Sequence, residues 1–110
     1  MINKELDLYI QLIMKKLVLE TQGEVSNRHY CDPFKMRVHL QGILGHNYRS
    51  EQYHNAIEYI NRHQYARYGG MYLTEKGAQY VDRLMSLQQR RITLSSMRRK
   101  TQEPVLVPVA

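Results

Sequence analysis

Tyr65-Ala66-Arg67-Tyr68-Gly69-Gly70-Met71-Tyr72-Leu73-Thr74-Glu75-Lys76-Gly77 places a glycine pair between two short runs rich in tyrosine and other strand formers. Flanked in this way, Gly69-Gly70 reads as the loop of a two-residue β-hairpin. Thr74 reads as the N-cap of a helix that follows at once. In a two-residue hairpin, residues equidistant from the turn share a face. Ala66, Tyr68, Met71 and Leu73 are therefore expected on one side, and Tyr65, Arg67, Tyr72 and Thr74 on the other. The first face is suited to packing; the second sets a cation among tyrosines.

The elements before the hairpin read as helices. Residues 3–21 carry Asn3 as an N-cap and Glu5 and Asp7 in the first turn, where negative charge suits the helix dipole. Leu6, Leu8, Tyr9, Ile10, Leu12, Ile13, Met14, Leu17, Val18 and Leu19 cover more of this helix than a single buried stripe. The surplus predicts a partner surface, most simply a second copy of the chain. Gly23 closes the helix, and residues 23–31 read as a loop or short strand. Asp32-Pro33 is an N-cap followed by proline at the first helical position, opening a helix to about Leu44. Phe34, Val38, Ile43 and Leu44 are expected to face inward, and Gly45 to stop the helix. A turn at residues 46–49 leads to Ser50 and another helix, Glu51 to about His63, with Tyr53, Ala56, Ile57 and Ile60 inward. The helix from Glu75 is expected to bury Tyr80, Val81, Leu84, Met85 and Leu87, and to reach about residue 95. Residues 96–110 read as a basic, then Pro/Val-rich, tail.

The fold class is thus mainly α with a small β-hairpin, in one domain over residues 1–95. A chain of 110 residues can bury a modest core, and its composition is that of a folded domain. One cysteine, Cys31, excludes an intrachain disulfide and a cysteine-rich metal site. No signal peptide is evident, and Asp7, Gln11, Lys15 and Lys16 interrupt the apolar run of the first helix. A cytoplasmic protein with no membrane span is expected.

The net charge of +6 is unevenly placed. Residues 1–82 hold ten Lys/Arg against nine Asp/Glu, whereas residues 83–102 hold six Lys/Arg and no acid. Such a segment attracts a polyanion, although basic residues also complement the end of a helix dipole.

The order helix, helix, glycine-containing turn, helix, hairpin, helix resembles the winged helix-turn-helix domain. The string Gly70-Met71-Tyr72-Leu73-Thr74-Glu75-Lys76-Gly77 is similar to the wing-to-last-helix junction of MarR- and PadR-type bacterial transcriptional regulators. The resemblance covers residues 32–80, and the flanks match only in being helical. It implies an N-terminal helix over 1–22, a helix-turn-helix over 32–64, a wing over 65–74 and a C-terminal helix over 75–95. It also implies a homodimer formed through the N- and C-terminal helices.

With Ile57 facing the core, the period of 3.6 turns Gln52, Asn55, Tyr59 and Arg62 outward. Gln and Asn can pair with adenine, and Arg with guanine, in a major groove. Arg49 and Ser50, at the helix start, suit a phosphate. Arg67 and Tyr72, with Tyr65 alongside, are the wing candidates for the backbone or minor groove. Arg90, Arg91, Arg98, Arg99 and Lys100 would supply attraction without sequence preference. Glu51 and Glu58 lie near the reading face and oppose phosphates; a solvated helix would carry the same polar residues. His29 and Cys31 lack a second ligand pair, so no metal site and no cofactor are expected. No phosphate loop, nucleophile elbow or acid–base pair is present, and the chain is read as not an enzyme.

The leading expectation is a sequence-specific double-stranded DNA-binding protein, a small transcriptional regulator. The first alternative is a winged-helix-shaped protein-binding module, such as a phage or mobile-element inhibitor of a host complex. The near-neutral charge up to residue 82 and the Val-Leu-Val-Pro-Val tail keep it open. The second is single-stranded DNA or RNA binding, through seven tyrosines between positions 48 and 80 and the basic C-terminal segment.

Overall fold

A computed structural model describes residues 3–26 and 28–102, with side chains as far as residue 88. Four helices and one hairpin follow in the order α1 (Lys4–Thr21), α2 (Pro33–Leu44), a 3-10 turn (Gly45–Asn47), α3 (Ser50–Arg62), β1 (Ala66–Arg67), β2 (Tyr72–Leu73) and α4 (Glu75–Gln102). The starts of three helices are local chemistry. Asn3 Oδ1 accepts the Leu6 N–H at 2.7 Å, and Asp32 Oδ1 accepts the Phe34 N–H at 2.9 Å just ahead of Pro33. Thr74 Oγ1 accepts the Gly77 N–H at 3.0 Å, while its own hydroxyl donates to the Gln64 carbonyl. Each such cap stabilises its helix by about 1 kcal/mol.

α1 is the central element, packing against α2, α3, α4 and the hairpin. Tyr9, Ile10, Ile13, Met14 and Leu17 are buried along it, and Leu6, Leu12 and Val18 pack partly against the same core. A helix surrounded on several sides can bury more than one stripe, so one core absorbs most of the apolar surplus. Leu8 and Leu19 remain exposed, the latter at 69%.

α2 turns the other way from expectation. Met36 and Leu40 are buried and Leu44 packs partly against the core, whereas Phe34 is 64% and Val38 49% exposed, and Ile43 is exposed too. The helix holds two apolar stripes at i, i+4 spacing, and its packing on α1 selects the one containing Met36 and Leu40. On α4, Val81 is buried and Tyr80 and Leu84 are half-buried, but Met85 and Leu87 lie in the open. α4 also continues past residue 95 to Gln102, so Arg98, Arg99 and Lys100 stand on helical backbone.

The hairpin keeps the expected register, Ala66 opposite Leu73 and Arg67 opposite Tyr72. Ala66 and Leu73 are buried against the core. The pairing ends one residue early on each strand. Tyr68, Gly69 and Gly70 all take positive φ (52°, 68° and 88°), and the Met71 N–H donates to the Arg67 carbonyl at 3.1 Å. Tyr68 therefore leaves the packing face assigned to it and stands 71% exposed. Two glycines are fixed by close approach. A Cβ on Gly70 would meet Ile57, and one on Gly77 would overlap the Tyr65 carbonyl and the Met14 methyl. The segment entering α2 lies against the hairpin, where the Cys31 N–H donates to the Met71 carbonyl at 2.9 Å. Cys31 itself is buried, and burial pushes its thiol up, away from the reactive thiolate.

Candidate nucleic-acid interface

α3 starts without a side-chain cap. Arg49 occupies the N-cap in an extended conformation and Ser50 is already the first helical residue, one position later in the helix than expected. The buried Tyr9 of α1 takes over the anchoring: its hydroxyl accepts the Arg49 N–H at 2.6 Å and donates to the Asn47 carbonyl at 3.2 Å. The turn between α2 and α3 is thereby tied to the central helix as well as to its own sequence neighbours.

Tyr53, Ala56 and Ile60 are the buried residues of α3, and Ile57 is only half-buried. The inward direction is thus rotated from one centred on Ile57. The outermost row becomes Glu51, Asn55, Glu58 and Arg62, all exposed, with His54 beside it. Gln52 and Tyr59, expected outward, move to the flanks. Gln52 is half-buried, with its Oε1 enclosed and unbonded among the described residues. Tyr59 packs partly on the core, its ring centre 4.0 Å from that of His63, and burial pushes its hydroxyl up.

The charges on this row are met within the protein. Arg62 pairs with Glu58 at 2.6 Å, and Arg49 with Glu5 at 3.0 Å and Glu51 at 3.7 Å. Exposed pairs of this kind contribute at most about 1 kcal/mol. They nevertheless occupy the guanidinium groups and place carboxylates where a phosphate backbone would approach. Sequence reasoning noted both acids but did not place them in the outer row; the run Tyr53, Ala56, Ile60 was the signal that could have done so.

Arg67 is exposed on β1 opposite Tyr72. Tyr72 stands between Tyr30 and Tyr68, with ring centres 5.7 Å and 5.4 Å away. Tyr65 is drawn away from the wing candidates into the joint between α3 and α4. It stacks on Tyr80 at 4.8 Å, and the Lys76 ammonium lies 5.8 Å from its ring centre. The hydroxyls of Tyr53 and Tyr80 are pushed up to about 12, chiefly by burial. The side chains of Arg90, Arg91, Arg98, Arg99 and Lys100 lie outside the described residues. No helix among the described residues is long and apolar enough to cross a membrane.

An open cleft of about 750 Å³ lies between the end of α3, β1 and the start of α4. Ala66 and Val25 supply apolar lining, and Arg67 and Lys76 stand on its walls. The sequence reading had not singled out Lys76, because it becomes a neighbour of Arg67 only through the hairpin. The chain matches no protein-family model, no curated protein and no solved structure.

Proposed function

We propose that this chain is a winged-helix protein that binds double-stranded DNA as a homodimer and acts as a small transcriptional regulator in the cytoplasm. The observation that carries this reading is the Cys31 N–H to Met71 carbonyl bond. It brings the segment before α2 against the turn of the hairpin, which supports a winged-helix reading, while the sheet itself pairs only β1 with β2. α3 then enters the major groove with Asn55 and Arg62 at its outer row, and Arg49 and Ser50 at its start face the backbone. Arg67 and Tyr72 reach the backbone or minor groove from the wing. Arg90, Arg91, Arg98, Arg99 and Lys100 add salt-sensitive attraction. The exposed Leu8 and Leu19 of α1, with Met85 and Leu87 of α4, supply apolar surface for the second copy.

Fluorescence anisotropy with a labelled random duplex, across a salt series, tests the reading. A linear fall of log affinity with log salt, at a slope of about −0.9 per neutralised phosphate, is expected. Neutralising the five basic residues of α4 together should flatten it. Failure to bind at low salt would remove the DNA reading.

A second reading, a protein-binding module of the same shape, is favoured by the placement of Glu51 and Glu58 in the outer row of α3. The exposed Phe34 and Val38 on α2 suit it as well. It takes precedence if the duplex does not bind.

A further inference from the structure

The cleft beside the hairpin brings two cations and an exposed aromatic residue to one concave surface. Its volume of about 750 Å³ falls within the ordinary range for small-molecule sites. Arg67, on β1, and Lys76, on α4, line it from different elements, and neither has a carboxylate partner among the described residues, the Lys76 ammonium lying 5.8 Å from the ring centre of Tyr65. Arg49 and Arg62 on α3 are both so paired. Two unpaired cations, one of them a planar fork, are what a phosphate group selects.

The remaining lining narrows the ligand. Tyr68 lines the cleft and is 71% exposed, its ring set against that of Tyr72 at a 77° interplanar angle. A largely solvated tyrosine beside cations is a stacking surface for a flat heterocycle. Asn61 and Gln64, also in the lining, each carry an amide donor and acceptor able to bond a base edge. Glu75 opposes a phosphate but can accept bonds from sugar hydroxyls.

We propose that this cleft binds a nucleoside monophosphate unit. Arg67 and Lys76 hold the phosphate, Tyr68 stacks on the base, Asn61 and Gln64 contact the base edge, and Glu75 accepts from the ribose. The proposal does not depend on α3 reading a duplex. The same unit could arrive as a free nucleotide or as one residue of a single strand.

Titration of the ¹⁵N-labelled full chain with AMP, adenosine and ribose 5-phosphate tests the site. AMP should give saturable amide shifts at Gly69, Gly70 and Lys76, with a Kd of about 1 mM or tighter. Adenosine and ribose 5-phosphate should each bind about tenfold more weakly, as should AMP to Arg67→Gln or Lys76→Gln. Tyr68→Ala should weaken AMP while leaving ribose 5-phosphate unchanged. All three substitutions are at exposed positions, and an unchanged thermal melt confirms that each variant is folded. Displacement of AMP by a short single strand assigns the unit to a nucleic acid strand; lack of displacement assigns it to the free nucleotide; both support the site. Equal binding of AMP and adenosine, insensitivity to Arg67→Gln and Lys76→Gln, or no saturable shift overturns the proposal. So does displacement by duplex alone with ribose 5-phosphate binding as well as AMP, which would reduce the cleft to a backbone-phosphate contact.

Discussion

The exposed side of α3 with its N-cap and the hairpin cleft each present two cations, yet they treat them oppositely. On α3, Arg62 lies 2.6 Å from Glu58 and Arg49 lies 3.0 Å from Glu5. At the cleft, Arg67 and Lys76 have no carboxylate partner among the described residues, and Lys76 lies over the ring of Tyr65. An arriving anion must displace an acid on α3 but can bind directly at the cleft. Similar composition therefore gives two different surfaces, and the position of the acids makes the difference.

The strongest way to break the contrast is to remove the cleft while leaving α3 in place. In Gly77→Ala the new methyl would overlap the Tyr65 carbonyl at the joint between the hairpin and α4. A clash with backbone cannot relax as a flexible side chain would, so a loss of about 3 kcal/mol is expected in urea unfolding. Loss of the cleft's amide shifts with those of α3 retained would show the two regions to be separable.

Alkaline pH probes the supports of both regions, since Tyr53 is on the buried side of α3 and Tyr80 of α4 stacks on Tyr65, next to β1. Both hydroxyls are pushed up from 10 to about 12, chiefly by burial. The folded state thus favours the neutral phenols. Their contribution is whole below pH 10 and is lost as pH rises toward about 12. For the buried Tyr53 alone the loss is about 2 kcal/mol. Absorbance titration at alkaline pH should show these two rings ionising near their raised values, together with unfolding.

Arg62→Ala sharpens the α3 side. A bidentate base contact predicts a loss of about 1–3 kcal/mol in specific duplex binding, with nonspecific binding little changed. An equal loss for all sequences would make Arg62 a phosphate contact. The smallest expected effect comes from the acids. Glu58→Gln and Glu51→Gln should each strengthen duplex binding by about 0.5 kcal/mol at low salt, and less as salt rises. Neither should change AMP binding at the cleft. If both acids prove neutral for the duplex, the contrast between the two regions is structural only.

Some parts of the molecule were legible in the chain because their causes are local. The Asn3, Asp32 and Thr74 caps each need only a short polar side chain near open N–H groups, and all three bond as expected. The register Ala66–Leu73 and Arg67–Tyr72 follows from the glycine pair alone. What was misread was rotation. α2 offered two apolar stripes, and α3 was anchored on Ile57 rather than on Tyr53, Ala56 and Ile60. On a short helix with few apolar residues, shifting the inward direction costs little in pattern yet changes which polar groups face out. Gln52 and Tyr59 left the candidate row for that reason, and Glu51 and Glu58 took their place. Tyr68 was misplaced by the backbone instead, because its positive φ turns it off the packing face.

By itself, then, the sequence determined where α1, α2 and α4 begin, where the chain reverses and that one hairpin joins α3 to α4. Those choices depend on hydrogen bonds and backbone freedom within a few residues. Tertiary packing decided which stripe of α2 and α3 is buried, that Arg49 meets Glu5, and that Lys76 joins Arg67 at a cleft. Those outcomes follow from how α1 is enclosed, because contacts between residues distant in sequence exist only once the core has formed around it.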